Sequence, residues 1–175
     1  MDNIPVYPLP EGFSFRFYVP GDENSWVKLQ SNADKFNKID LDLFRREFGN
    51  DADILKQRML FLLNPEGEII GTAAAWLNND YGRVHWVAVH PDYQGKGLSK
   101  PLLSAVCEKL VLLGHDKAYL TTSSARIPAI NLYLEFGFLP QIIGPDDKKI
   151  WESLKTHCKH PGFNLYLACN KPEND

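Results

Sequence analysis

Residues 83–90 alternate apolar with polar; after Gly95 and Gly97 the apolar residues Leu102, Val106, Leu110 and Leu113 recur at helical spacing as far as Gly114. The change from period two to period 3.6 predicts a strand, a loop opened by His90-Pro91-Asp92, and a helix. Pro101 narrows this further, because a proline inside a helix is tolerated only in the first turn, where its missing N–H is no loss. The helix therefore starts near Gly97. A glycine-rich loop that opens a helix gathers unpaired backbone N–H groups at the positive end of the helix dipole, and glycine lets an anion come close. Standing alone, the same glycines also serve as a plain turn. A nucleotide-binding P-loop is excluded, since no glycine precedes Gly95-Lys96 at the required offset.

The rest of the chain supplies the elements such a unit packs against. Residues 1–12 carry three prolines and read as an extended arm. Alternation predicts a strand over 13–19, and helical spacing predicts helices over 23–34 and 41–48, stopped by Gly49-Asn50-Asp51. Residues 59–63 and 68–77 flank the turn Asn64-Pro65-Glu66-Gly67 and form a hairpin. Further strands are predicted over 117–122, 138–143 and 163–168, with helices over 127–135 and 146–157. With 175 residues and no linker or repeat, residues 13–170 are expected to form a single domain, followed by a tail over 171–175.

Composition removes several classes of function. The hydrophobic fraction of 44% and charged fraction of 23% are those of a globular chain. A net charge of −3 without a basic run argues against nucleic-acid binding. Apolar stretches fall far short of the ~20 residues a membrane span needs, and the start of the chain lacks the basic and apolar regions of a secretory signal. No membrane association and a cytoplasmic location are expected. Cys107, Cys158 and Cys169 are odd in number and lack ligand spacing, so neither disulfide framework nor metal site is expected.

The run Val87-Ala88-Val89-His90-Pro91-Asp92-Tyr93-Gln94-Gly95-Lys96-Gly97-Leu98-Ser99 resembles the acetyl-CoA-binding motif of the GCN5-related N-acetyltransferase (GNAT) family. In that motif Gln or Arg, two residues, Gly, one residue, and Gly or Ala follow a strand; Gln94 and Gly97 match, and Ser99 takes the last small position. Downstream, Ala129-Ile130-Asn131-Leu132-Tyr133-Leu134-Glu135-Phe136-Gly137-Phe138 resembles the family's helix-to-strand segment, with its tyrosine four residues before the glycine of a Gly-Phe pair. The resemblance implies an α+β fold: a mostly antiparallel central sheet of about six to seven strands, flanked by helices, whose fourth and fifth strands splay to admit CoA. The cofactor-binding core would span 83–143.

The resemblance also implies roles. Backbone groups of Val87, Ala88 and Val89 would hold the pantetheine arm, one N–H polarising the thioester. Gln94, Gly95, Lys96, Gly97, Leu98 and Ser99 would hold the pyrophosphate. Arg126 stands where many members carry a cofactor-contacting asparagine, and its charge suits a CoA phosphate. Tyr133 would protonate the departing thiolate, a phenol of pKa ~10 serving a thiol of ~8.5; the plainer reading packs it on the sheet. The base is open between His85, which has the strand parity of Val87 and Val89, and water. His90 reads as a turn residue. Acetyl-CoA is thus the expected co-substrate and an amine on a small molecule or peptide the acceptor, by direct transfer, with no metal, in a monomer or homodimer. A non-catalytic acyl-CoA-binding regulatory module of the same fold is the rival. Residues 34–51, where the family builds its acceptor site, carry no recognisable substrate signature.

Overall fold

The apolar run Met59–Leu63, with four of five side chains buried, can only be a strand covered on both faces. In the computed structural model, which describes residues 4–78, 81–158 and 160–163, it is the second strand of a five-stranded sheet in sequential order. β1 (Ser14–Phe17), β2 (Met59–Leu63), β3 (Ile69–Asn78) and β4 (Tyr81–Val89) pair antiparallel, and β5 (Ala118–Tyr119) joins β4 in parallel. The described residues fall into two compact units, dividing between Leu120 and Thr121, and the whole sheet belongs to the first.

One face of the sheet is covered by α1 (Glu23–Ala33), α2 (Leu41–Phe48) and α3 (Ala52–Arg58). Their apolar stripes place Trp26, Phe44, Phe48 and Leu55 against Met59, Phe61 and Ala74. Each large side chain so buried contributes roughly 1.5–3 kcal/mol. Trp26 meets Phe44, Phe48 and Trp86 edge-on at 5.3, 5.5 and 5.2 Å. Asp40 caps α2, its Oδ1 accepting from the Leu43 N–H at 2.8 Å, and Asp51 Oδ1 caps α3 by accepting from Asp53 and Ile54 at 2.9 and 3.1 Å. α4 (Ser99–Leu112) covers the other face, over β3 and β4. Ala73 and Ala75 are fully buried there, and a Cβ on Gly82 would stand 2.9 Å from Leu110 Cδ2, so the small residues set how closely the helix approaches.

In the second unit α5 (Ile127–Glu135) and α6 (Pro145–Ser153) bury Ile130 and Leu134 with Leu154, Cys158 and Phe163.

Three expectations differ from this architecture. Residues 138–143 form no strand: Pro140 lacks the N–H a ladder needs, and Leu139 and Ile143 are 56% and 83% exposed. The strand expected over 117–122 pairs only at Ala118 and Tyr119. α3 was not expected, because Asp51 reads as the stop of one helix rather than the cap of the next. Of the strand expected over 163–168, all but Phe163 lies outside the described residues.

Candidate active site

β5 meets β4 only through Gly82 and Arg83, so beyond them β4 has no strand alongside that edge among the described residues. This is the expected divergence of the fourth and fifth strands. The orientation of β4 backbone groups follows from alternation. His90 N–H donates to Ile70 at 2.7 Å, and Ala88 lies opposite Thr72, so both turn toward β3. Val89 turns the other way, its carbonyl accepting from Gln94 Nε2 at 3.0 Å. Val87, two residues earlier, has the same strand parity and lies beside the break in pairing.

The pairing of β3 with β4 breaks between these residues and His85. Thr72 opposes Ala88 and Ala74 opposes His85, so Ala73 alone faces both Trp86 and Val87, a β-bulge. Trp86 has φ +48°, a left-handed backbone that costs a β-carbon-bearing residue roughly 1–2 kcal/mol. Helices hold it there. Gln30 Nε2 of α1 donates to the Trp86 carbonyl at 2.9 Å, and Trp86 Nε1 donates to Glu47 Oε2 of α2 at 3.1 Å.

The bulge corrects one sequence argument. An uninterrupted strand would set His85 on the face of Val87 and Val89. The extra residue instead puts His85 and Trp86 together on the α1–α2 face, with Ala74. Val89, paired with Gly71, faces α4 with Ala73 and Val84, and Val87 follows it.

His85 is 5% exposed, packs at 5.3 Å from the Phe48 ring, and holds Nε2 3.1 Å from Glu47 Oε2 in a geometry too oblique for a hydrogen bond. Burial pushes its pKa down to about 3 and the Arg83 charge adds to the shift. The ring is neutral at physiological pH and a weak base by itself. Glu47 is the group the sequence reading missed. Its spacing from Phe44 and Phe48 puts it at the edge of the buried stripe of α2, the one signal that pointed inward.

At the far end of β4 the loop is braced from below. A short 3-10 turn, Pro91–Tyr93, follows His90, whose Nδ1 accepts from Asp92 at 3.4 Å. Tyr93 hydroxyl accepts from Asn64 Nδ2 at 2.9 Å, and Lys96 lies 4.4 Å over the Tyr93 ring. Gly95 and Gly97 have φ +75° and +77°, with open space where a Cβ would point. Leu98 is buried and anchors the start of α4, whose first turn has no side-chain cap. What this end of the loop offers a ligand is backbone N–H. The Gln94 side chain is spent on the Val89 carbonyl, and Ser99 is half-buried.

Arg126 and Tyr133 lie in the second unit. Arg126 precedes α5 and its N–H donates to the Ser123 carbonyl at 3.0 Å. Tyr133 is half-buried, 6.2 Å edge-on from Phe138; burial raises its pKa and Arg126 partly offsets this, so the phenol keeps its proton at neutral pH. Cys107 is no nucleophile: burial, with Glu108 adding, pushes its thiol up to about 12. Among the described residues no helix is long and apolar enough to cross a membrane.

The chain is similar to known acetyltransferases in sequence and in fold. The chain is 30% identical over 158 residues to the mycothiol acetyltransferase of Pseudarthrobacter chlorophenolicus, covering 78% of this chain and 45% of that protein. The chain thus spans about half the length of the curated relatives of that name. A GCN5-related N-acetyltransferase from Sphaerobacter thermophilus superposes with a TM-score of 0.67 at 23% identity, over 78% of this chain and 44% of that one. The ribosomal-protein-S18-alanine N-acetyltransferase of Escherichia coli gives 0.63 at 21%, over 74% and 79%. The model of the acetyltransferase (GNAT) family matches residues 25–138, more than half of the chain and including β4, the glycine loop, α4 and α5, and the protein belongs to that family.

Proposed function

We propose that the protein is an acetyl-CoA-dependent N-acetyltransferase that moves the acetyl group directly to an amine of a small molecule or peptide. The observation that carries this is the pair of left-handed glycines before the uncapped start of α4, at the end of a β4 edge that β5 leaves open among the described residues. Backbone N–H groups of Gly95, Lys96, Gly97, Leu98 and Ser99 receive the pyrophosphate, with Gln94 bracing the strand beneath. Arg126 meets a CoA phosphate. The outward groups of Val87 and Val89, with Ala88 between them, align the pantetheine arm, and the Val87 N–H donates to the thioester oxygen as it becomes an oxyanion.

The amine nitrogen attacks the thioester carbon, the C–S bond breaks, and the thiolate takes its proton from Tyr133. The amine proton leaves to the His85–Glu47 pair, in which a neutral imidazole lies against a carboxylate that is a quarter exposed. A relative named mycothiol acetyltransferase and a structural neighbour named for the alanine of ribosomal protein S18 support acetyl transfer while leaving the acceptor's class wide. Incubating the chain with acetyl-CoA and a panel of alkylamines, amino acids and peptides, while free thiol is followed, tests the proposal. Amine-dependent thiol release is expected; acetyl-CoA binding without transfer to any of them would leave a regulatory module.

A further inference from the structure

The bulge raises a question of energetics: a tryptophan at φ +48° inside a strand persists only if its surroundings hold it there. Glu47 grips its indole N–H, Trp26 its ring, and Gln30 its backbone. The Gln30 contact differs in kind. Gln30 is 2% exposed, on the stripe that carries Trp26 and Leu29, where an apolar residue would pack at no desolvation cost. Its Nε2 donates at 2.9 Å to the Trp86 carbonyl, which belongs to the same peptide unit as the Val87 N–H. A planar peptide makes these two groups antiparallel, so a bond that fixes the carbonyl also fixes the direction of the N–H.

We infer that Gln30 is a positioning residue for acetyl transfer: by holding the Trp86 carbonyl against α1 it aims the Val87 N–H outward from β4 at the thioester oxygen. The inference rests on the acetyl-CoA reading above. The same hydrogen bond polarises the peptide and makes its N–H a better donor. An apolar side chain at position 30 would leave the Trp86–Val87 peptide free to tilt while the glycine loop, braced by Asn64 and Tyr93, keeps its shape. Cofactor binding and carbonyl polarisation are therefore separable.

Isotope-edited infrared spectroscopy of bound acetyl-CoA, labelled with 13C at the thioester carbonyl, needs no knowledge of the acceptor. In the parent the carbonyl stretch should lie below its frequency in free acetyl-CoA, as a hydrogen-bonded carbonyl does. Gln30→Met and Gln30→Leu, which keep bulk and remove the donor, should move the band most of the way back while calorimetry shows CoA affinity within about threefold of the parent. Turnover with any accepted amine should fall roughly tenfold to a hundredfold, in kcat rather than in KM for acetyl-CoA. A folded variant whose band stays at the parent position overturns the inference, as does loss of CoA affinity in both variants or failure of both to fold, since each marks a general structural role. A parent that does not bind acetyl-CoA, or binds it with no band shift, instead overturns the reading on which the inference stands.

Discussion

Gly97→Ala and Gly114→Ala form a matched pair that separates folding from binding at the glycine loop. Both glycines are left-handed, at φ +77° and +88°, and neither has an atom within 4 Å of where a Cβ would stand. The folded-state cost of each substitution is therefore backbone strain alone, roughly 1–2 kcal/mol. For a chain of this size each kcal/mol lowers the melting temperature by about 2–4 °C, so both variants should melt about 2–8 °C below the parent. On the proposed reading, only at position 97 does the new methyl enter the space of a phosphate bound to the N–H groups before α4. Calorimetric titration should show CoA affinity reduced at least about tenfold by Gly97→Ala, about 1.4 kcal/mol, and unchanged by Gly114→Ala. Equal affinities in the two variants, at equal loss of stability, would remove the loop from the binding site.

Further predictions concern His85, Tyr133 and Gly82. The His85 pKa of about 3 in the folded chain lies below the ~6.5 of an unfolded histidine, so the unfolded state binds the extra proton between these values. Its contribution to stability is complete above pH ~6.5 and is lost as pH falls, by at most about 1.4 kcal/mol per pH unit; His85→Gln should flatten melting temperature against pH in that window, and an unchanged profile would refute the burial argument. Tyr133→Phe should lower single-turnover transfer by ~10²–10⁴-fold with acetyl-CoA affinity unchanged, and full activity would remove the phenol as the acid. Gly82→Ala should destabilise by roughly 1–3 kcal/mol in urea unfolding, because its Cβ meets Leu110 Cδ2 at 2.9 Å and His115 Cβ at 3.2 Å; a neutral effect would mean that α4 is free to withdraw.

What could be read in the sequence was whatever local periodicity and punctuation control. The bounds of α2, α5 and β2 came from stripe spacing and turn residues, and Pro101 placed the start of α4 correctly. Residues whose meaning depends on a partner far along the chain could not be read this way. The alternation of 83–90 looks continuous because a bulge inserts one residue without disturbing the apolar count, so His85 was given the wrong face. Gln30 and Glu47 look like polar positions on amphipathic helices. Only the packing of α1 and α2 over β4 shows that one holds a carbonyl and the other an indole and an imidazole. A strand over 138–143 failed for the opposite reason: its propensity was local, but Pro140 and two exposed aliphatic side chains left nothing for a ladder to gain.

The central claim, direct transfer from bound acetyl-CoA to an amine, is tested most directly by a quenched single-turnover experiment. Protein in excess over radiolabelled acetyl-CoA is mixed with the accepted amine, and label is followed in cofactor, protein and amine. Label is expected to leave acetyl-CoA and enter the amine with one rate constant, with none on the protein at any time. Label on the protein before the amine, or acetyl-CoA that stays bound and intact in the presence of every amine, would contradict it.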